Sequence, residues 1–242
     1  VKASVECPRR RWCGSLAAEL IFVASLTSES INVNDDYMKT KPPEQYHHGG
    51  LRLALIEAAA RVAATDGVGA IGMRALARSA GVSSGAPFRH FQNSAALLVA
   101  VAEEGADRQL QAMQAAVVPT ATPLEQQRQM GVEYVRWCVA EPGFFRVMSR
   151  AESLAGSPRL QAQQADFVAG LEAALVQSSE TASHAAFPAE MVQSVGARAL
   201  VYGLARMAVD GLLGPGLTPD DAACLADHIT RALSFHFSSE AT

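Results

Sequence analysis

Between Arg74 and Ser94 the chain collects groups suited to holding a polyanion: Arg74, Ser83, Ser84, Gly85, Arg89, His90 and Ser94, with Arg52 upstream. A guanidinium can read guanine edges, whereas serine hydroxyls and backbone amides suit phosphate. The chemistry available here is noncovalent recognition. The sequence has no Gly-x-Ser-x-Gly, no His-Glu-x-x-His and no phosphate loop, so an enzyme reading finds little support. His184, His228 and His236 are too dispersed to suggest a metal, and no cofactor is expected. His90 has a plainer reading as a packed helix residue.

The elements that must position these groups lie in Ile71–Leu98. The pattern predicts a short helix over Met73–Ala80, broken at Gly81, which can take the left-handed backbone a turn needs. A second short helix is expected from Ser83 or Ser84, either of which can cap it, to about Phe91. Pro87 belongs in its first turn, and Phe88 and Phe91 share a face. A third helix starts near Asn93. Two short helices around a tight Gly turn form a helix-turn-helix, whose second helix enters the major groove.

Upstream, Leu51–Asp66 has helical spacing of apolar residues and stops at Gly67. Downstream the pattern predicts a long helix from Asn93 to Val117, then Leu124–Ala140, Phe144–Arg150, a loop over 151–157, Arg159–Gln177, a polar connection, Ala189–Leu213 ended by Gly214-Pro215-Gly216, and a last helix capped by Thr218. No run of alternating β-branched residues suggests a sheet. About half of the 242 residues are apolar and alanine is abundant, which favours a helical protein with a sizeable core. Charge is uneven. Net charge is +4 over residues 38–95 and −7 over 96–242, against −4 for the chain. A basic head on an acidic body is suggested, although charge blocks also fluctuate without meaning.

The string Gly81-Val82-Ser83-Ser84-Gly85-Ala86-Pro87-Phe88-Arg89-His90-Phe91, followed by Leu97-Leu98, resembles the DNA-binding segment of TetR-type transcriptional repressors. Tyr46-His47-His48-Gly49 before Leu51-Arg52 resembles the lead-in of one branch, and Trp137 with Phe145-Arg146-Val147-Met148 resembles a segment of the same branch, whose C-terminal domain is of WHG type. The likeness is strong over about 46–101 and weaker beyond. It implies an all-α fold: a three-helix DNA-binding head with a helix-turn-helix at 46–95, joined to a helical-bundle ligand-binding and dimerisation domain at 96–242. The implied protein is a cytoplasmic, ligand-responsive repressor that binds a palindromic double-stranded DNA operator as a homodimer. Two departures stand out. Phe88 replaces a usual Tyr, and Ser94-Ala95 replaces a usual Lys-Glu. Both lost groups commonly touch phosphate, so weaker and less salt-sensitive DNA binding is implied. Phe88 is expected to keep the Tyr position in the helix packing. Arg52, Arg74, Ser83, Ser84, Gly85, Pro87, Phe88, Arg89, His90 and Ser94 form the candidate DNA-binding set.

An effector site is expected among Trp137, Cys138, Phe144, Phe145, Met148, Phe167, Tyr202 and Arg206. A stripe of Met and aromatic residues at helical spacing also reads as plain core. Arg198 and Arg206 stand within an apolar helix and would need a carboxylate or an acidic ligand if buried; otherwise they lie on the surface or a dimer interface. The last two helices are apolar on more than one face, which suits a four-helix bundle between two subunits. Residues 1–45 read as an N-terminal extension and basic arm outside the fold, with 1–37 as a dispensable or mis-annotated stretch ahead of Met38. The apolar run Leu16–Leu26 is about half the roughly 20 residues a membrane span needs. Four scattered cysteines suggest reduced thiols. The alternative reading is an all-α small-molecule-binding or adaptor protein with a vestigial helix-turn-helix.

Overall fold

The computed structural model describes residues 50–178 and 189–239, and every regular element among them is helical. The expected arm, the Tyr46 lead-in and the polar connection before Pro188 lie outside the described residues. Helix α1 (Gly50–Thr65) ends at Gly67, whose φ of 83° is left-handed. Helix α2 (Met73–Ser79) buries Met73, Leu76 and Ala77. It closes in a Schellman turn: Gly81 N–H donates to Arg78 O at 3.1 Å and Val82 N–H to Ala77 O at 3.0 Å, with Gly81 at φ 67°.

The second helix of the motif departs from expectation. Ala86–Arg89 is a single 3₁₀ turn, with Gly85 before it and no side-chain cap from Ser83 or Ser84. The reason is local. Pro87 has no N–H to give, and Gly85 favours disorder over helix. Short bonds therefore carry the segment: Ala86 N–H to Ser83 O at 2.9 Å, Phe88 N–H to Gly85 O at 3.2 Å, and His90 N–H to Pro87 O at 3.0 Å. Phe91 is buried and pins the turn to the head.

Helix α3 (Ser94–Ala115) starts at Asn93, whose side chain accepts from Ala96 N–H at 2.9 Å. It runs from the head into the body, where it packs on α4 (Pro123–Ala140) and α5 (Pro142–Met148). Thr122 caps α4. The stretch expected as a loop contains a short helix, α6 (Ala151–Ala155), because Ala, Glu and Leu favour helix between extended Arg150 and Gly156. Ser157 then caps α7 (Pro158–Ser178). Helix α8 (Ala189–Val209) stops short of Leu213. A second Schellman turn ends it at Gly211, φ 75°, before the Gly-Pro-Gly string is reached. Thr218 caps α9 (Pro219–Ser239), as Asp221 N–H donates to its hydroxyl at 3.1 Å.

Two glycines let helices touch. A Cβ on Gly143 would stand 1.9 Å from Ala60 O, so α5 rests on the backbone of α1. A Cβ on Gly105 would meet Met148 Sδ at 2.8 Å and Phe144 at 3.0 Å, so α3 settles against α5. Leu97, Val101, Val135, Phe144, Phe145 and Val147 make the core between them. Cys138 is a buried free thiol, whereas Cys224 is disulfide-bonded, against the expectation of reduced thiols. No helix among the described residues is long and apolar enough to cross a membrane.

Candidate DNA-binding head and body cavity

Arg52, Arg74, Ser83, Ser84, Gly85, Arg89 and Ser94 are all exposed. Ser83–Gly85 forms the turn leading into the 3₁₀ segment, and Ser94 opens α3. Arg52 lies over the Phe91 ring, 5.3 Å from its centroid, which holds the guanidinium on the head. His90 is half-buried with its ring 6.5 Å from that of Phe91, so part of its role is packing. Pro87 is fully buried beneath the turn; its rigid ring shapes the segment and offers DNA no surface. Phe88 is 50% exposed and does not fill a packing position, because the tight 3₁₀ turn rotates it outward. The expectation that it substitutes for a packed Tyr is corrected accordingly.

The body holds a cavity of about 940 Å³, partly open to solvent, bounded by α3, α4, α5, α6, α7 and α8. Phe145, Met148, Phe167 and Tyr202 line it, as the Met and aromatic spacing suggested. The Phe145 and Tyr202 rings meet at a tilt, with centroids 5.9 Å apart. Trp137, Cys138 and Phe144 lie elsewhere, in the core: Trp137 packs on Phe144 at 6.4 Å, and Cys138 accepts from the Gln109 amide at 3.4 Å. Arg206 is exposed and paired to Asp210 at 2.7 Å, so the cation has its carboxylate on the surface. Burial pushes the Cys138 thiol well above its ordinary pKa, against the hydrogen bonds it receives, and pushes the Tyr134 hydroxyl up as well.

Sequence reasoning missed much of the polar wall: Gln109, Gln127, Gln163 and Gln164 line the cavity, as does Arg198. The Oε1 atom of Gln127 is buried without a hydrogen-bond partner. Glutamine is common on solvated helix faces, so spacing alone did not separate these four from surface residues. Also missed is the one-turn spacing of Cys224 and His228, whose Sγ and Nδ1 are 3.7 Å apart. Among the described residues no three metal-capable side chains converge.

Head and cavity share helices. Ala106, Gln109, Leu110 and Met113 of α3 line the cavity, while Asn93 and Ser94 begin the same helix in the head. Glu57 of α1 is ion-paired to Arg108 of α3, and Glu104 pairs to the same arginine at 2.8 Å. Helix α5 lines the cavity with Phe145 and Met148 while Arg146, between them, hydrogen-bonds to the end of α1.

Comparison with known proteins agrees with this architecture. Residues 55–101 match the model of bacterial regulatory proteins of the tetR family, and residues 127–233 match that of the tetracyclin repressor-like C-terminal domain. No curated protein matches the chain. Among solved structures, a protein of unknown function from Rhodococcus sp. RHA1 is 26% identical, covers 77% of this chain and 96% of its own, and has a TM-score of 0.57. A TetR-like transcriptional regulator from the same organism is 20% identical, covers 78% and 99%, and reaches a TM-score of 0.59. A TetR-family transcription regulator from Marinobacter aquaeolei VT8 is 22% identical, with 74% and 92% covered and a TM-score of 0.53. With one family's models covering both the head and the body, and together well over half of the residues, the chain belongs to the TetR family of bacterial regulatory proteins.

Proposed function

We propose that this chain is a ligand-responsive, operator-binding repressor that acts as a homodimer, with residues 46–95 as the DNA-binding domain and 96–242 as the effector and dimerisation domain. The carrying observation is that α3 both begins the end of the head and lines the body cavity. From Ser94 to Gln109 it spans about 22 Å of rigid rod at 1.5 Å per residue. A molecule lodged against Gln109 and Met113 would displace that rod and with it the recognition turn. In a dimer the two turns must meet half-sites about one helical turn apart, so a shift of a few Å would end simultaneous engagement.

The dimer reading is supported by α8. Val192, Met207 and, beyond it, Leu212 are exposed apolar side chains, and a Cβ on Gly196 or Gly203 would meet nothing. Such a face suits close approach of a second copy. Tyr46-His47-His48-Gly49 and the Trp137 to Met148 segment support assignment to the family branch that carries that lead-in. The effector is a small molecule seated in the cavity, with Phe145, Met148, Phe167 and Tyr202 among its contacts.

The test is footprinting and salt-dependent gel shift on the promoter region beside the gene. Specific protection that disappears with Arg89→Ala combined with Ser84→Ala supports the assignment. Protection that survives both substitutions rules out the assigned contacts. Phe88 and Ser94 favour a second reading, a small-molecule-binding or adaptor protein whose head no longer reads DNA. Ligand binding with no salt-dependent retardation of any promoter fragment would favour it.

A further inference from the structure

The cavity wall is mostly apolar, and Arg198 is the one basic side chain among the described residues that line it. Helix α4 returns toward the head, so Gln127 near its start lies at the far end of the body, with Gly170 of α7 nearby and Arg198 of α8 on the same wall. Phe145, Met148, Leu154 and Leu160 line the end nearer the head, where Gly105 and Gly143 bring the helices together. Arg198 is half-buried and also borders a smaller surface dip that Glu172 lines. Every other described arginine of the body is ion-paired to a carboxylate or, for Arg146, hydrogen-bonded to carbonyl oxygens. Arg198 has neither among the described residues, and neither Glu172 nor the exposed cavity-lining Asp166 is within ion-pair distance of it.

We propose that the cavity takes an amphipathic carboxylic acid. Its apolar body lies among Met148, Leu154, Leu160 and Phe167, and its carboxylate is held by Arg198. This rests on reading the cavity as the effector site. A guanidinium is a planar fork that matches a carboxylate with two parallel hydrogen bonds, and partial burial strengthens the pair. A volume of about 940 Å³ accommodates a chain of a dozen carbons with room for its conformers. Asp166 is exposed at the rim, where water screens it, so the half-buried Arg198 sets the sign of the site.

The test is calorimetric titration of the full chain with dodecanoate, dodecan-1-ol and dodecyltrimethylammonium, each below its aggregation concentration. Dodecanoate should bind at least about tenfold tighter than the alcohol, the gain of one charge-assisted fork, and the cation weakest. Arg198→Gln should bring acid and alcohol to within about twofold of each other, and Arg198→Lys should keep part of the preference because it keeps the charge without the fork. Arg206→Gln, one cation further along α8, should leave the preference intact. Equal binding of acid and alcohol, a preference that survives Arg198→Gln, or no binding of any probe would each overturn the proposal. The titrations contain no DNA. Dodecanoate that binds through Arg198 without releasing operator would count against ligand-responsive repression and leave this inference standing.

Discussion

Arg146 Nη1 donates to the carbonyl oxygen of Ala63 at 3.1 Å, so a side chain of the body holds the last turn of the head's first helix. The same nitrogen donates to Ala64 O at 2.5 Å, and Nη2 reaches Val209 O, at the end of α8, at 3.5 Å. The ends of two helices, each carrying unpaired carbonyls and partial negative charge, thus meet one cation. Arg146→Met should lower the unfolding free energy by about 2 kcal/mol, the loss of charge-assisted bonds to partly buried carbonyls. Hydrogen exchange resolved by peptide should show 61–66 opening first. Unchanged exchange there would mean that the guanidinium adds nothing to the helix end.

Gly143 is the point where α5 rests on α1. A methyl group there would overlap Ala60 O, and a backbone atom cannot swing aside as a side chain does. Gly143→Ala should therefore cost more than the roughly 1–3 kcal/mol of ordinary over-packing and leave little soluble, folded protein. Gly69→Ala, which meets open space away from the proposed dimer face, is the matched control and should fold normally. Denaturant melts of the two variants check this.

Arg128 joins α4 to α9. It bonds Glu125 at 2.7 Å through Nε and pairs with Asp227, and its own side chain is only 12% exposed. The Arg128 hydrogen bond holds the Glu125 carboxyl below its usual range against burial. For Asp227, burial acts upward, but hydrogen bonds from Arg231 and Arg128 outweigh it and the carboxyl is also lowered. A folded-state value below the unfolded one means that this stabilisation is complete above the ordinary carboxylate range, near pH 4, and is lost as pH falls through it. Both carboxylates are about one-third exposed, so screening moderates the effect. Melting temperatures from pH 6 to pH 3 should fall more steeply for the parent than for Arg128→Gln. Parallel curves would remove this cluster from the acid response.

Ser94 sits exposed at the first position of α3, and Phe88 projects half-exposed from the recognition turn. If the head binds DNA, Ser94→Lys should add one phosphate contact. The slope of log K against log salt should then steepen by about 0.9. Phe88→Tyr should tighten binding further by its hydroxyl. Gel shifts at three salt concentrations check both, and a slope unmoved by Ser94→Lys would place that position away from the phosphate backbone.

Sequence by itself determined where helices begin and end wherever a local group decides the matter. Thr218 caps the helix it was expected to cap, Asn93 caps the helix expected to start near it, and Gly67 and Gly81 take left-handed backbone. Those choices rest on hydrogen bonds and torsions within a few residues. It misjudged the recognition segment, where Gly85 and Pro87 together left a 3₁₀ turn, and the end of α8, where Gly211 acts before Gly214.

Tertiary structure alone decided which apolar residues surround space and which fill it. Phe145 and Tyr202 face the cavity while Trp137 and Phe144 are core, although all four share the same kind of helical spacing. It also left Arg198 without an ion-pair partner among the described residues and gave Arg206 a partner one turn away. Periodicity reports that a side chain points inward. What it meets there depends on the neighbouring helices, and their approach is set by distant contacts such as Gly143 on Ala60.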